Sequence, residues 1–192
     1  WKWEMKHIPR IPRKRPVPRV LTEAAVKALL ENTLNLKHRA MLSTAYSSGL
    51  RVSELMHLRV TDIDSANMRI HIRRGKGGAP RTAILSKSNL LLLREYWKEY
   101  RPKEWLFPGQ DPKKPLHNRT VQHVYNDAVK RAGIVDGGSM HTLRHSFATH
   151  LLNRGENINT IRELMGHASL TSTTIYLHVT QAQVMGLKSP QD

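Results

Sequence analysis

The stretch HTLRHSFAT at residues 141–149 opens a predicted helix with a histidine and an arginine on one face. The helix is predicted to cover residues 142–153 and to end at Gly155. His141 and Arg144 stand three positions apart, a spacing that makes them neighbours on a helix surface. A helix N-terminus disfavours imidazolium but favours a bound phosphate. The pair can therefore hold a phosphate oxygen and offer a nearly neutral base, or it can be an exposed pair on a solvated helix.

A second arginine lies upstream, in the stretch SGLRVSEL at residues 48–55. Arg51 precedes a short predicted helix over residues 52–58, and an arginine directed inward there needs an anionic partner. Glu54, three residues later, can supply a simple salt bridge. Alternatively, Arg51 is the second arm of a phosphate clamp, because guanidinium binds phosphate oxygens in pairs and stays protonated. Glu54 would then position the clamp or His141.

Downstream, the stretch MGHASLTSTTIY at residues 165–176 ends in a tyrosine. A tyrosine is ordinarily part of a core or an interface, and a phenol with a pKa of about 10 contains very little phenolate at pH 7. Beside a base and positive charge, however, Tyr176 can become a nucleophile. His167 follows Gly166 at a predicted helix end, where it either caps the helix or hydrogen-bonds a non-bridging phosphate oxygen.

A change of hydrophobic period predicts a hairpin in the first half of the chain. Residues 68–73 alternate like a half-buried strand, and residues 81–85 can pair with them. The glycine-rich stretch between them is predicted to be a turn that displays Lys76. A lysine on a surface turn is ordinarily only solvated, but this one could enter a cleft and protonate a leaving oxygen. The glycine pattern does not match a P-loop, so nucleotide binding is unsupported.

Most of the remaining sequence is predicted to be helical. Thr22 can cap a first helix. Further helices are predicted over residues 36–47, 86–100, 120–132 and 158–165, around Tyr176, and weakly over 180–187. Residues 105–108 are predicted to form a short buried loop. The expected fold is mainly α with a small antiparallel β-hairpin or sheet.

Composition indicates a polyanionic partner. The chain has 192 residues, and 31 Lys and Arg against 15 Asp and Glu give a formal charge of +16. Such an excess repels itself unless a polyanion such as nucleic acid neutralises it, although a ribosomal-type binder or a highly soluble surface shares this composition. No apolar run approaches the length of about 18 residues that a membrane span needs. Cysteine is absent, which excludes disulfides and thiolate metal sites.

Two histidines of the predicted helix have a spacing that occurs in metal sites. His141 and His145 stand four residues apart, as in some zinc sites. No carboxylate lies on that helix, and its arginine would repel a cation. We therefore predict no metal and no cofactor.

Together, these stretches resemble the motif set of the tyrosine recombinases, or phage-type integrases, of bacteria and mobile elements. The resemblance covers about residues 21–179, and its boxes lie at residues 48–55, 75–77, 141–149, 165–167 and 173–179. Each box alone is only suggestive, but five in this order are hard to obtain by chance. The resemblance implies the tyrosine recombinase catalytic fold, that of DNA breaking-rejoining enzymes, and a site-specific recombinase.

The resemblance also implies a phosphate-binding set. Arg51, Arg144 and His167 would bind the scissile phosphate of DNA. Positive groups would then meet the charge that develops on a pentavalent phosphorane, so that no metal is needed.

The remaining implied roles concern proton transfer and attack. Lys76 would be the general acid for the leaving 5′-oxygen, and His141, helped by Glu54, would assist as base. Tyr176 would attack the phosphate and leave a 3′-phosphotyrosine and a free 5′-hydroxyl. Because the phosphotyrosyl link stores the bond energy, religation would require no ATP.

The resemblance implies a domain organisation and partners as well. Residues 1–20, rich in proline and arginine, would be an interdomain linker along DNA, or else a disordered basic tail. Residues 21–179 would be the catalytic domain, and residues 180–192 a tail that docks on a neighbouring subunit. The family's N-terminal DNA-binding domain is absent from this sequence, so weak, nonspecific DNA binding and a monomer are expected for this piece. The expected assembly is a homotetramer on double-stranded DNA, in the bacterial cytoplasm and associated with the nucleoid.

Two other functions share part of this pattern. A type IB topoisomerase has the same nucleophile and fold, but that resemblance would place lysine at position 141, where this chain has His141. A catalytically inactive DNA-binding module is the non-enzymatic alternative, although the full set of site residues argues against decay.

Overall fold

The computed structural model describes residues 18–73 and 79–166. In chain order they form α1 (Glu23–Glu31), α2 (Leu36–Ser47), α3 (Val52–Met56), a 3₁₀ turn (Val60–Asp62), β1 (Ile63–Asp64), β2 (Arg69–Ile72), β3 (Arg81–Ile84), α4 (Lys87–Tyr100), α5 (Asn118–Arg131), α6 (His141–Asn153) and α7 (Ile158–Met165). The expected fold class, mainly α with a small antiparallel sheet, is confirmed.

Several sequence predictions fall outside this description. They concern the turn around Lys76, the helices around Tyr176 and over residues 180–187, and most of the segment 1–20. Within the described part of the chain, no helix is long and apolar enough to cross a membrane.

Polar side chains cap the starts of several helices where the sequence predicts them. The Thr22 hydroxyl accepts a hydrogen bond from the amide of Ala25 at 3.1 Å and begins α1. The Ser86 hydroxyl accepts one from the amide of Asn89 at 3.2 Å and begins α4. Each cap satisfies an amide that the helix itself leaves unpaired, which stabilises the helix by roughly 1 kcal/mol.

The predicted hairpin is part of a three-stranded antiparallel sheet in the order β1-β2-β3. Ile70 of β2 lies opposite Ile63 of β1 on one side and Ala83 of β3 on the other. Alternate residues of β2 are buried, and this period identified the strand. The prediction missed β1, because a strand of two residues is too short to show a period.

The prediction that the third helix continues to Leu58 is wrong, because α3 ends at Met56. The chain turns at His57, and the carbonyl of Leu58 then accepts a hydrogen bond from the amide of Leu106 at 2.7 Å. This partner belongs to the loop over residues 105–108, in which Leu106 and Phe107 are buried. The amides of His57 and Leu58 donate only three residues back, to the carbonyls of Glu54 and Leu55, so the helix tightens and ends before the chain pairs with this loop.

Two apolar clusters hold the helices that form the site. The larger one includes the buried residues of α2, which packs against α4 and α6. The smaller one joins α6 to α7 and consists of Phe147, Ala148, Leu152, Ile161 and Met165. Because α7 is attached through this second cluster, its C-terminal end is fixed against α6.

The connection between α2 and α3 passes close to α6 at Gly49. This glycine has φ +58°, and a Cβ atom there would lie 2.4 Å from Cδ1 of Phe147. We expect Gly49→Ala to lower the free energy of unfolding by roughly 2–5 kcal/mol, because the left-handed backbone costs roughly 1–2 kcal/mol and overpacking roughly 1–3 kcal/mol. Chemical denaturation measures the loss. Gly133→Ala is the matched control, since Gly133 has φ +66° but open space around it. Equal losses at both positions would refute the packing argument.

Candidate active site

Three arginines from different elements converge on one buried carboxylate. The side chain of Glu54, on α3, is only 1% exposed. Its oxygens lie 2.6 Å from Arg51, 2.6 Å from Arg81 on β3 and 3.8 Å from Arg144 on α6. We refer to these four residues as the arginine cluster. Because three guanidinium groups share one carboxylate, positive charge remains in excess, and an anion is the partner that would balance it.

Arg51 is held at the N-cap of α3 by Glu54. The amide of Arg51 donates to Oε2 of Glu54 at 2.9 Å, and its Nη1 donates to Oε1 at 2.6 Å. The salt bridge that the sequence suggested is therefore present. The Arg51 side chain nevertheless remains 17% exposed, so the salt bridge and a role in binding an anion are compatible.

The C-terminal end of α7 supplies further partners for the arginines. The last carbonyls of a helix lack intrahelical donors and carry partial negative charge. Each arginine of the cluster donates to one of the last carbonyls: Arg81 to Leu164, Arg144 to Met165 at 2.5 Å, and Arg51 to Gly166 at 2.8 Å. The cluster therefore fixes the backbone directly before position 167 of the sequence.

Arg144 ties the site to the connection between α2 and α3. Its side chain is 5% exposed, the lowest value among the three arginines. Besides its contact with α7, its Nη1 donates to the carbonyl of Gly49. A buried guanidinium with defined acceptors is held in one orientation, which is a requirement for a preorganised binding site.

The arginines lower the pKa of Glu54. Desolvation by burial is the largest single effect and raises it, but the hydrogen bond and charge of Arg81, the amide of Arg51 and the charge of Arg144 together outweigh desolvation. The pKa of this carboxyl therefore lies below its usual value. Glu54 is ionised at neutral pH and acts as the counterion that holds the arginines together.

We expect Glu54→Gln to lower the free energy of unfolding by roughly 3–5 kcal/mol near pH 7, because buried arginines lose their counterion. Since the pKa of Glu54 is lower in the folded state, its stabilising effect is complete above the unfolded-state pKa of 4.5. The effect is lost as pH falls through the folded-state value. Urea denaturation near pH 7 and near pH 3 should thus show a difference between wild type and variant that shrinks in acid.

The control for this prediction is Glu104→Gln. Glu104 is half exposed and lies 3.5 Å from Arg59, so its removal should cost less than about 1 kcal/mol at either pH. A difference between wild type and Glu54→Gln that stays constant with pH would show that the charge of Glu54 is not what stabilises the cluster.

His141 lies at the N-terminus of α6, where the sequence predicts it, and is the first residue of that helix. It is exposed, yet partial desolvation lowers its pKa, and the charges of Arg144 and Arg51 lower it further. The imidazole is therefore neutral at pH 7 and can accept a proton or a hydrogen bond. His145, four residues along α6, has its pKa lowered to about 4, chiefly by desolvation.

The structure brings together those predicted site residues that it describes. Arg51, Glu54 and Arg144 are in direct contact, and the charges of Arg51 and Arg144 act on His141. The other predicted site residues, Lys76, His167 and Tyr176, lie outside the described residues.

Arg81 belongs to the cluster but was not identified from the sequence as a site residue. A signal for it was present: alternation along β3 places Arg81 on the same face as Ala83, which is buried. An arginine on the buried face of a strand requires an anionic partner. That partner, Glu54, lies 27 residues away in sequence, so the spacing of short motifs could not identify the contact.

No metal site is formed by the described residues, in which no three His, Asp or Glu side chains group around a common point. His141 and His145, the pair with zinc-like spacing, both experience neighbouring positive charge that lowers their pKa values. The same charge would oppose a bound cation.

Comparison with solved structures identifies the class of fold. The structure is similar to the XerH site-specific recombinase bound to its palindromic difH substrate in a post-cleavage complex, with a TM-score of 0.78 and 25% sequence identity. The match covers 88% of this chain and 52% of that one. The fold is that of a tyrosine recombinase catalytic domain. The sequence model of the Phage integrase family matches residues 19–183, and the chain therefore belongs to that family.

Curated relatives from two organisms agree with this assignment. The chain is 40% identical over 184 residues to the tyrosine recombinase of Thermosipho africanus, a match that covers 93% of this chain and 62% of that protein. It is 37% identical over 175 residues to the tyrosine recombinase XerA of Pyrococcus horikoshii, covering 90% of this chain and 60% of that protein. The chain thus spans about three fifths of the length of these relatives.

Proposed function

We propose that this chain is the catalytic part of a site-specific recombinase that cleaves and rejoins DNA strands through a 3′-phosphotyrosine intermediate. The observation that carries the proposal is the arginine cluster, in which buried guanidinium groups share a single carboxylate beside a neutral histidine. A phosphodiester is the anion whose oxygens best match guanidinium donors. Membership of the Phage integrase family supports DNA as the source of that phosphate.

Arg51 and Arg144 are proposed to bind the scissile phosphate. Both are anchored by protein acceptors, so their charges are already in place before DNA arrives. Such preorganised charge stabilises the negative charge that develops on the phosphorane in the transition state. His167 is proposed to add a hydrogen bond to a non-bridging oxygen, in accordance with its motif.

Tyr176 is proposed to attack phosphorus and to form the 3′-phosphotyrosine. The phenol must lose its proton, and the neutral imidazole of His141 is the proposed acceptor, supported by Glu54 through the arginines. Lys76 is proposed to donate a proton to the departing 5′-oxygen. Rejoining reverses these steps: the 5′-hydroxyl attacks the phosphotyrosine and the tyrosine leaves, so that no ATP is consumed.

Double-stranded DNA is the proposed partner. Support comes from the XerH structure, which was determined on its difH substrate, and from the formal charge of +16 on this chain. We further propose a homotetramer on DNA and a monomer for the isolated chain, in the bacterial cytoplasm in association with the nucleoid. Light scattering with and without DNA would distinguish the two states.

The proposed domain limits follow the motif pattern. Residues 21–179 would be the catalytic domain, residues 1–20 a basic linker along the DNA, and residues 180–192 a tail that docks on a neighbouring subunit.

The recombinase interpretation is favoured over type IB topoisomerase activity, because the relatives that match are named recombinases.

Covalent capture tests the proposed function. The chain, and any longer protein that its gene encodes, is incubated with a pool of nicked duplexes drawn from the DNA flanking that gene, without added metal or ATP. We expect a protease-sensitive protein–DNA adduct that mass spectrometry maps to Tyr176. Products that join strands of two different duplexes would identify a recombinase rather than a topoisomerase. The absence of any adduct across the pool would count against catalysis and favour an inactive DNA-binding module.

A further inference from the structure

Arg81 uses its whole guanidinium group inside the protein. Its Nε donates to Oε1 of Glu54 at 3.2 Å, and its Nη2 donates to Oε2 at 2.6 Å. Its Nη1 donates to the carbonyl of Leu164. The contact with the carboxylate is bidentate, the geometry that fixes the orientation of both groups. With 9% of the side chain exposed, little of Arg81 remains for a substrate to touch.

Arg51 has a different pattern of contacts. It makes one side-chain hydrogen bond to Glu54 and one to Gly166, and its side chain is 17% exposed. Arg51 is therefore suited to contact a bound anion, whereas Arg81 is suited to hold other groups in place. The sequence motifs do not assign any role to Arg81.

We propose that Arg81 is a positioning residue of the phosphate-binding site, which orients the Glu54 carboxylate and the C-terminal end of α7 so that Arg51 and Arg144 face the scissile phosphate. The inference rests on the proposed function, because it concerns the same site. Arg81 itself does not contact the DNA in this mechanism.

The consequence for Glu54 follows from its shared contacts. Without Arg81, both carboxylate oxygens lose a donor, and Arg51 is the other residue whose side chain hydrogen-bonds that carboxylate. Arg51 would then turn toward Glu54 in order to satisfy it, and away from the phosphate. The charge at the site would fall at the same time.

The consequence for α7 follows from close packing. A Cβ atom at Gly166 would lie 2.6 Å from Cδ of Arg81, so the Arg81 stem fills the space beside this left-handed residue. Loss of Arg81 therefore removes both a donor to Leu164 and the side chain against which Gly166 packs. His167, the next residue in sequence, is a proposed phosphate ligand, so movement here would affect the same bound group.

A double-mutant cycle tests whether Arg81 acts through Glu54. The rate of cleavage of bound DNA is measured in single turnover for wild type, Arg81→Gln, Glu54→Gln and the double variant. We expect Arg81→Gln to slow cleavage about tenfold to hundredfold, which is the range typical for removing a residue that orients a metal ligand. DNA affinity should change by less than about twofold. In the Glu54→Gln background, Arg81→Gln should slow cleavage by no more than about twofold, because the two residues act as one unit.

Two further variants separate positioning from general damage. Arg81→Lys keeps the charge but cannot form the bidentate contact, so its cleavage rate should lie between those of wild type and Arg81→Gln. Arg73→Gln is the matched control, because Arg73 follows β2 at the same end of the hairpin as Arg81 but contacts a different buried carboxylate, Asp62, at 2.6 Å. Its variant should lose stability but cleave bound DNA at the rate of wild type.

If Arg81→Gln is too unstable for the double-mutant cycle, the inference can be tested without measuring catalysis. The pKa of Glu54 is followed by ¹³C NMR of its carboxyl group in wild type and in Arg81→Lys. Because the hydrogen bond and charge of Arg81 are the largest effects that lower this pKa, the pKa should rise when the bidentate contact is lost.

The outcomes distinguish this inference from the proposed function. If wild type forms no adduct with any duplex, the proposed function fails and the inference fails with it. If wild type forms the adduct but Arg81→Gln cleaves at the wild-type rate, or the two substitutions have independent effects, only the positioning role of Arg81 is refuted. An unchanged pKa of Glu54 in Arg81→Lys would likewise refute it alone.

Discussion

Replacing Tyr176 with phenylalanine is expected to leave DNA binding unchanged and to abolish the covalent protein–DNA adduct. The substitution removes only the phenolic oxygen, the atom proposed to attack phosphorus, and keeps the ring. Phenylalanine offers no other nucleophile, so the adduct should fall below detection. Capture with nicked duplexes measures the adduct, and a gel-shift titration measures binding.

Three of the other tyrosines are poorly suited to be the nucleophile, which supports this prediction. Tyr96 is fully buried, its hydroxyl donates to the carbonyl of Leu106 at 2.9 Å, and desolvation raises its pKa. Tyr125 is equally buried, with its pKa raised to about 12, chiefly by desolvation. Tyr46 hydrogen-bonds Nδ1 of His150 at 2.9 Å, and desolvation raises its pKa too. None of these phenols can readily form the phenolate that attack requires.

Tyr100 provides the matched control. It is 42% exposed on α4 and, of the four tyrosines within the described ranges, is the one that solvent reaches most easily. We expect Tyr100→Phe to form the adduct as wild type does. An adduct that persists in Tyr176→Phe, or one that disappears in Tyr100→Phe, would overturn the assignment of the nucleophile.

Local signals explain which parts of the fold were predictable. The cap at Thr22 and the amphipathic pattern that follows it are contained within a few residues, and α1 begins directly after that cap. Directly after α3, by contrast, the chain pairs with a distant segment: the amide of Leu106 donates to the carbonyl of Leu58, almost fifty residues away in sequence. No window of residues around α3 contains that information, so the helix was predicted too long.

The candidate site divides in the same way. Arg51 and Glu54 are three residues apart on one helix start, so their contact was foreseen. The contact of Arg81 with Glu54 depends on where the fold places β3 relative to α3, which no local sequence pattern reveals. The acceptors at Leu164, Met165 and Gly166 are backbone carbonyls, which every residue possesses. That these three carbonyls anchor the arginines can be recognised only once the position of the C-terminal end of α7 is known.

The second large effect is expected for Arg144→Ala, which should slow cleavage of bound DNA on the order of a hundredfold or more. The substitution removes a charge that is proposed to bind the scissile phosphate and to stabilise the transition state. It also leaves the carbonyls of Gly49 and Met165 without their donor, at a cost to stability of roughly 1–3 kcal/mol. Rate and stability must therefore be measured separately, by single-turnover cleavage with saturating DNA at a temperature where circular dichroism shows the variant folded.

Two companion variants decide how a slow Arg144→Ala is interpreted. Arg154→Ala removes an arginine from the end of the same helix, where it forms an exposed ion pair with Glu23 at 2.9 Å, and cleavage should be unaffected. Arg144→Lys keeps the positive charge, but one ammonium group cannot reach two carbonyls and a phosphate in the geometry of a guanidinium, so its rate should be intermediate. If folded Arg144→Ala cleaves nearly as fast as wild type, Arg144 serves only to join α6 to Gly49 and α7. Binding of the scissile phosphate would then depend on Arg51 and on groups outside the arginine cluster.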